Sequence, residues 1–320
     1  MDYGHATCPL VCRGLDSTLK FIVTEEHSNA LQPGAGRVMA AMAVAVLALA
    51  FSAVFITKLE QAEVPALVIA FYRMAIATAL LLPAAVVFKW NEIASLAQKD
   101  AGLMALGGLC LAVHFGAWIA SLKYVPIATA VVLVNSHPLF VVVASYFFLG
   151  ERPARRGLIG TAIGLGGMVV ISHDALGDLQ PATRGVGLAL LGALAVVGYF
   201  IVGRKVRARI SLLGYVTPLY AMCCLFLLIW VLAAGDPLLP YSASTWGYLA
   251  ALAIVPTVIG HTVFNWAIKH VRPTAISLAF LGEPVVASVL ALIFFAQRPL
   301  LATFIGGALV LAGVYLTTSK

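Results

Sequence analysis

The stretch PLFVVVASYFFLGERP at Pro138–Pro153 aligns without a gap on the stretch PVVASVLALIFFAQRP at Pro284–Pro299. Each begins with a proline, runs through apolar residues to a pair of phenylalanines, and closes on an arginine–proline pair. The similarity extends over His114–Ile171 and His261–Leu316 if a gap of one residue is allowed outside the stretch just quoted. The chain is therefore expected to contain the same structural unit twice.

The amino-acid composition indicates a membrane protein. Apolar residues make up 62% of the 320 residues and charged residues only 10%, against roughly 25% charged residues in an ordinary soluble domain. A transmembrane helix needs about 20 mostly apolar residues, and ten runs of the chain are candidates. They are Val38–Thr57, Ala66–Phe88, Ala101–Leu122, Pro126–Leu149, Gly157–Ser172, Gly185–Gly203, Leu212–Ala234, Trp246–Ile268, Thr274–Ala296 and Leu300–Thr318. We therefore predict an all-α protein with ten transmembrane helices in a lipid bilayer.

Basic residues are distributed unevenly between the loops of this arrangement. With both termini inside, the inner loops collect Lys89, Lys99, Arg152, Arg155, Arg156, Arg204, Lys205, Arg207, Arg209, Lys269 and Arg272. The outer loops hold only Lys58, Lys123, Arg184 and Arg298. Because cytoplasmic loops carry the excess of lysine and arginine, both termini are predicted to be cytoplasmic. The net charge of +7 then reflects membrane orientation, and no nucleic-acid partner is expected.

The repeat and the helix count together predict two halves of opposite orientation. Residues 37–173 and 184–320 each contain five predicted helices, and an odd number makes the second half enter the membrane from the other side. Two inverted halves can exchange conformations around a central site, which favours a transporter that works by alternating access. Residues 1–36 contain charged residues and no secretory signal pattern, and they are predicted to form a disordered polar extension.

Glu283 and His137 are the main candidates for residues that bind a substrate. A charged group at the centre of a membrane helix costs at least ~2.5 kcal/mol on insertion scales, so such residues are rarely without a role. The two are equivalent in the repeat, and each precedes a proline, which frees a backbone carbonyl one turn earlier. We expect the two loosened helices to form the wall of a central cavity. The alternative is a structural kink with an interhelical hydrogen bond.

Other polar side chains in the predicted helices have several readings. Arg73 is expected to attract an anionic substrate group, to pair with Glu283, or to extend toward the outer headgroups. His114 and His261 lie nearer to helix ends and are interpreted as structural. Residues that could supply orienting hydrogen bonds or stacking surfaces to a substrate are Asn135, Ser136, Trp118, Tyr220, Trp266, Tyr199 and Asn265.

The sequence lacks the motifs of several other membrane-protein classes. It contains no His-Glu-x-x-His, no Gly-x-Ser-x-Gly, no paired intramembrane aspartates and no phosphate-binding Gly-x-x-x-x-Gly-Lys-Ser. The five cysteines are scattered, and neither a metal nor a cofactor is expected. The chain is therefore not expected to be an enzyme, although an intramembrane enzyme and a channel-like facilitative uniporter remain alternatives. A proton is a candidate coupling ion if Glu283 takes one up at mid-depth.

The chain resembles the drug/metabolite transporter superfamily, in particular its EamA-type branch. The resemblance is carried by Phe71-Tyr72-Arg73, Leu149-Gly150-Glu151, Glu283-Pro284 and the glycine-rich fifth and tenth runs. It implies a ten-helix carrier of the bacterial inner membrane, with a central cavity, that moves small metabolites and often exports amino acids or related solutes. Where the family commonly has Gly-Glu after the ninth helix, this chain has Ala296-Gln297.

Overall fold

The computed structural model describes residues 34–140, 154–175, 181–267, 269–270 and 279–318. Within these ranges the regular secondary structure is entirely helical. In chain order the helices are α1 (Ala35–Gln61), α2 (Ala66–Ala94), α3 (Gln98–Ser121), α4 (Ile127–Val134), α5 (Arg155–Ala175), α6 (Pro181–Val206), α7 (Leu212–Ala234), α8 (Ala243–Ala267), α9 (Gly282–Phe295) and α10 (Leu301–Thr318). The prediction of an all-α protein with ten helices is confirmed for this part of the chain.

Several helices are long and apolar enough to cross a membrane. Among the described residues, six reach that length, namely α1 (from Gly36), α2, α3, α6, α7 and α8. Shorter apolar helices cover Ile127–Phe140, Gly282–Phe295 and Leu301–Thr317. Parts of the predicted fourth and ninth runs, and the predicted extension up to residue 33, lie outside the described residues. Because six of its helices are long and apolar enough to cross a bilayer, the protein is a multi-pass membrane protein.

The fourth and ninth helical segments are interrupted at equivalent positions. Helix α4 ends at Val134, and a turn at Asn135 and Ser136 precedes a further helical stretch at 137–140. A turn at Leu281 likewise precedes α9. In each case a proline follows within three residues, where it removes a backbone N–H from the helix. The sequence predicted a loosened backbone here, and both breaks are present.

Polar side chains cap the carbonyls at the break after α4. The Asn135 amide donates to Val131 O at 3.0 Å, and the Ser136 hydroxyl donates to Leu133 O at 2.6 Å. Val134 O, which Pro138 leaves without its usual helical partner, lies 3.3 Å from His137 Nδ1. Local side chains therefore satisfy the backbone that the proline has freed.

Glycines bring α5 and α10 into backbone contact. A Cβ added at Gly160 would lie 2.6 Å from Gly313 O, and one at Gly313 would lie 2.5 Å from Gly160 O. The same reciprocal contact joins Gly167 and Gly306, at 2.5 and 2.6 Å. Residue numbers rise along one helix as they fall along the other, so the two helices are antiparallel. Small residues that let two backbones approach closely are common at helix contacts in membranes.

The main helix contacts run between the two halves of the chain rather than within them. The extensive pairs are α5 with α10, α3 with α6, α1 with α8, α2 with α7 and α3 with α7. Neighbours in sequence such as α1 and α2 touch much less. The buried interior is therefore shared by both halves, and the side chains from both meet at its centre.

Candidate functional site

A cavity lies at the centre of the helices, between residues of both halves. Its volume is about 40 Å³, which is small beside the roughly 300–1,000 Å³ of typical ligand pockets. The polar side chains that line it are Ser52, Arg73, His114, Trp118, Asn135, His137, His261 and Glu283, and the apolar ones are Leu49, Val134, Val196, Phe200 and Phe280. The cavity is too small for a metabolite, so binding one requires the surrounding helices to separate.

Arg73 of α2 is held on this wall by contacts to three other helices. Its Nε donates to Thr257 Oγ1 at 2.8 Å, and its Nη1 donates to Ser52 Oγ at 3.1 Å. The guanidinium lies over the Phe115 ring, 4.0 Å from the centroid, an arrangement that cation–π attraction favours. Arg73 is fully buried, so it does not extend toward the headgroups, and that alternative is excluded.

Glu283 stands at the start of α9, on the same wall. Its side chain is 7% exposed, and the Asn135 amide lies beside its carboxyl group. Among the described residues Arg73 forms no ion pair with a carboxylate. A cationic and an acidic side chain therefore face one cavity without neutralising each other directly.

Three histidine rings pack against aromatic side chains on the cavity wall. His137 lies between Phe200 and Phe280, with ring centroids 5.2 and 5.3 Å away. His114 stacks on Trp118 at 6.2 Å, and its Nδ1 lies 2.9 Å from Gly192 O. Since a carbonyl only accepts, Nδ1 of His114 is the donor in this contact.

Helix α8 changes its winding where it passes the cavity. Residues Ala253–His261 form a π-helix that contains Pro256, and π-helical turns are frequent at functional sites. The Thr257 hydroxyl donates to Leu252 O, five residues earlier, at 3.2 Å. The wider winding carries Thr257 to Arg73 and His261 to the cavity wall, where its ring meets Phe115 edge-on at 5.3 Å.

The structure brings five of the ten predicted site residues together. Two others, Tyr199 and Asn265, pair with each other away from the cavity lining, where the Asn265 amide donates to the Tyr199 hydroxyl, and three more also lie apart. Arg73, Trp118, Asn135, His137 and Glu283 line the cavity. The other three are in contact with groups away from its wall. Ser136 donates to Leu133 O, the Tyr220 hydroxyl lies 3.3 Å from Thr262 Oγ1, and Trp266 packs on His270 with centroids 4.8 Å apart.

Sequence reasoning missed His114, His261 and the π-helix. Both histidines were assigned to helix ends, whereas His114 lies well inside α3 and His261 closes the π-helix inside α8. The available signal was Pro256 in an apolar run, five residues before His261. A proline there indicates altered winding, but not that the winding is π.

Different kinds of contact stabilise the two ends of the α2–α7 pair. At one end Glu92 accepts from the Ser211 N–H and hydroxyl, both at 2.6 Å, and the Ser211 hydroxyl caps α7 by accepting from Gly214 N. At the other end the Tyr72 hydroxyl donates to Leu238 O at 2.8 Å, and its ring packs on Trp246. The contact of Glu92 with Ser211 is called the polar tie, and that of Tyr72 with Leu238 and Trp246 the aromatic tie.

Comparison with known proteins identifies relatives over most of the chain. An uncharacterized transporter of Archaeoglobus fulgidus is 27% identical over 286 residues, which are 87% of this chain and 96% of that protein. Pseudopaline exporter CntI of Pseudomonas aeruginosa is 25% identical, over 83% of this chain and 90% of its own. A probable terminal-alkyne amino-acid exporter of Streptantibioticus cattleyicolor is 28% identical, over 62% and 66%.

A solved structure and a family model match as well. A crystal structure of another protein superimposes on this chain with a TM-score of 0.65 at 20% identity. The match covers 88% of this chain and 96% of the other, so the two share a fold. The model described as the EamA-like transporter family matches twice, over residues 36–173 and 183–319. Together the two matches span nearly all of the described helices. The chain therefore belongs to the EamA-like transporter family.

Proposed function

We propose that the protein is a secondary transporter that moves small metabolites, amino acids or related solutes, by alternating access through the central cavity. The observation that carries the proposal is the cavity itself, where Arg73 and Glu283 face a shared space from different halves without an ion pair. Ionisable side chains inside a membrane protein commonly mark the pathway of a solute or ion. Glu283, His137, Asn135, Arg73 and Trp118 are the proposed binding residues.

The pattern of helix contacts supports two inverted halves, residues 37–173 and 184–320. The sequence alignment places Gly160 on Gly306 and Gly167 on Gly313, so α5 and α10 are equivalent helices, and they pack antiparallel. The contact of α1 with α8 likewise has its counterpart in that of α6 with α3. Reciprocal contacts of this kind are expected when a two-fold axis in the membrane plane relates the halves.

The names of the relatives support a carrier of small solutes. Two of them are exporters, one of pseudopaline and one of a terminal-alkyne amino acid. We propose that this chain likewise moves amino acids or related metabolites, and that it exports them. The excess of basic residues in one set of loops supports an orientation with both termini cytoplasmic. The bacterial origin of the two exporters supports a location in a bacterial inner membrane.

Proton coupling is the proposed source of energy. Glu283 is the acidic group of the cavity wall in the described residues. A carboxyl group that faces each side of the membrane in turn can pick up a proton on one side and release it on the other. Facilitative uniport through the same cavity needs no such group and is the competing mechanism.

Uptake into proteoliposomes tests the proposal. Labelled amino acids and related metabolites are offered to the wild type, Glu283→Gln and His137→Ala, with and without a pH gradient, and Glu63→Gln serves as an exposed control. We expect saturable uptake that both cavity variants reduce and the control retains. Gradient dependence that disappears in Glu283→Gln supports coupling, and gradient-independent uptake supports uniport. Unchanged uptake in both cavity variants contradicts the assignment of the site.

A further inference from the structure

We propose that Arg73 and Trp118 form a subsite for a carboxylate group. The solute then carries a single negative charge on the group that these two residues bind. The inference rests on the proposed function and specifies the chemistry of its substrate. Both residues line the cavity, and each has an N–H donor that is buried and has no hydrogen-bond partner, Nη2 of Arg73 and Nε1 of Trp118.

The orientation of the Arg73 guanidinium is already determined by its neighbours. Two of its nitrogens donate to Thr257 and Ser52, and its face lies on Phe115. These contacts use Nε and Nη1, and Nη2 has no hydrogen-bond partner. The guanidinium cannot turn to satisfy Nη2 without giving up the other bonds. It is therefore preorganised to bind a further acceptor.

Trp118 is similarly fixed. Its ring stacks on His114, which is anchored through Nδ1 to Gly192 O, and its side chain is 4% exposed. Indole nitrogen is a donor only, so a group that pairs with it must be an acceptor. An ammonium group is excluded from this position for the same reason.

Unpaired buried donors indicate a missing acceptor. Leaving a buried N–H unsatisfied destabilises a protein, and native structures rarely keep such groups without a reason. Two of them, on separate helices, line one cavity. A carboxylate offers two oxygens and accepts strong charge-assisted bonds from arginine. Such a group can accept from both donors.

The charge of the cavity favours a carboxylate over a phosphate. Among the described residues that line the cavity, Arg73 is the permanently charged cation. The acidic side chain of Glu283 lines the same cavity. A dianion would meet one positive charge and the repulsion of a carboxylate. A monoanion, with its remaining atoms packed on Phe200 and Phe280, fits this balance of charge and apolar surface.

The test measures binding by the shift in thermal unfolding of the purified full chain in detergent. The probes are 3-phenylpropionate, its neutral amide and inorganic phosphate. The variants are Trp118→Phe, which removes the N–H and keeps an aromatic ring, Arg73→Lys, and Trp246→Phe as a control in the aromatic tie outside the cavity wall. Since Arg73 joins several helices, Trp118→Phe carries the test if Arg73→Lys fails to fold.

We expect 3-phenylpropionate to raise the unfolding midpoint of the wild type and of Trp246→Phe, and the amide to have no effect. Trp118→Phe should bind the carboxylate about tenfold more weakly. An equal effect of the amide, unchanged affinity in Trp118→Phe, stabilisation by phosphate instead, or no carboxylate-dependent shift overturns the proposal. Binding is read without transport, so carboxylate binding by a protein that moves no solute contradicts the proposed function alone.

Discussion

The α5–α10 contact and the central cavity solve the problem of packing helices in a membrane in opposite ways. Between α5 and α10, paired glycines remove side chains altogether, and backbone lies on backbone. Around the cavity, large polar and aromatic side chains meet, and two buried donors stay unpaired. The first region is closed by direct packing, whereas the second keeps donors for the proposed ligand. Substitutions in the first should change stability, and those in the second should change function.

The largest loss of stability is expected from Gly313→Ala. The added Cβ would lie 2.5 Å from Gly160 O and 2.6 Å from Gly164 N, and two backbones cannot move as a side chain can. We expect a loss of about 3 kcal/mol, read from the unfolding midpoint in detergent. Gly166→Ala, on the same contact's helix α5 but with open space at its Cβ, is the control and should leave the midpoint unchanged or raised. Equal midpoints would refute the account of this contact.

Thr257→Val tests the other region, since it removes the acceptor of Arg73 Nε. A charged donor left unpaired should cost about 2 kcal/mol, and uptake should fall because the guanidinium loses its orientation. Thr303→Val is the matched control. Its hydroxyl lies 2.9 Å from Thr129 Oγ1, a pairing of two neutral groups. We expect a smaller loss, about 1 kcal/mol, with uptake retained; similar uptake in both variants would argue against a role for Arg73 orientation.

Glu92→Gln weakens the polar tie between α2 and α7. The carboxylate accepts two hydrogen bonds from Ser211, at the N-terminus of α7, where negative charge is favourable. The expected loss is about 1 kcal/mol at low salt, becoming smaller as salt screens the charge. Unfolding midpoints measured over a salt series check this, and a loss independent of salt would show that the charge is not what matters.

The smallest effect is expected from Tyr72→Phe in the aromatic tie. The substitution removes the hydrogen bond to Leu238 O and leaves the ring packed on Trp246. We expect a loss of about 0.5 kcal/mol that does not vary with salt, in contrast to Glu92→Gln. A salt-dependent loss here would remove the proposed difference between the two ties.

Much of the architecture could be predicted because it depends on local pattern. Apolar runs predicted the helices, and the paired prolines after His137 and Glu283 predicted the two breaks. The environment of Arg73 could not be predicted, because Ser52, Thr257 and Phe115 reach it from three different helices. The placement of His261 depended on a π-helix, which follows from packing around Pro256 rather than from periodicity.

The central claim is that the cavity opens to each side of the membrane in turn, and thiol accessibility tests it most directly. Phe280→Cys places a thiol on the cavity wall, and Ala77→Cys, fully buried in α2 away from the cavity, is the control. Both are made in a chain without its five native cysteines and reconstituted in proteoliposomes. A membrane-impermeant thiol reagent should modify Cys at position 280 from inside and from outside, and the control from neither. Reaction from one side only would contradict alternating access.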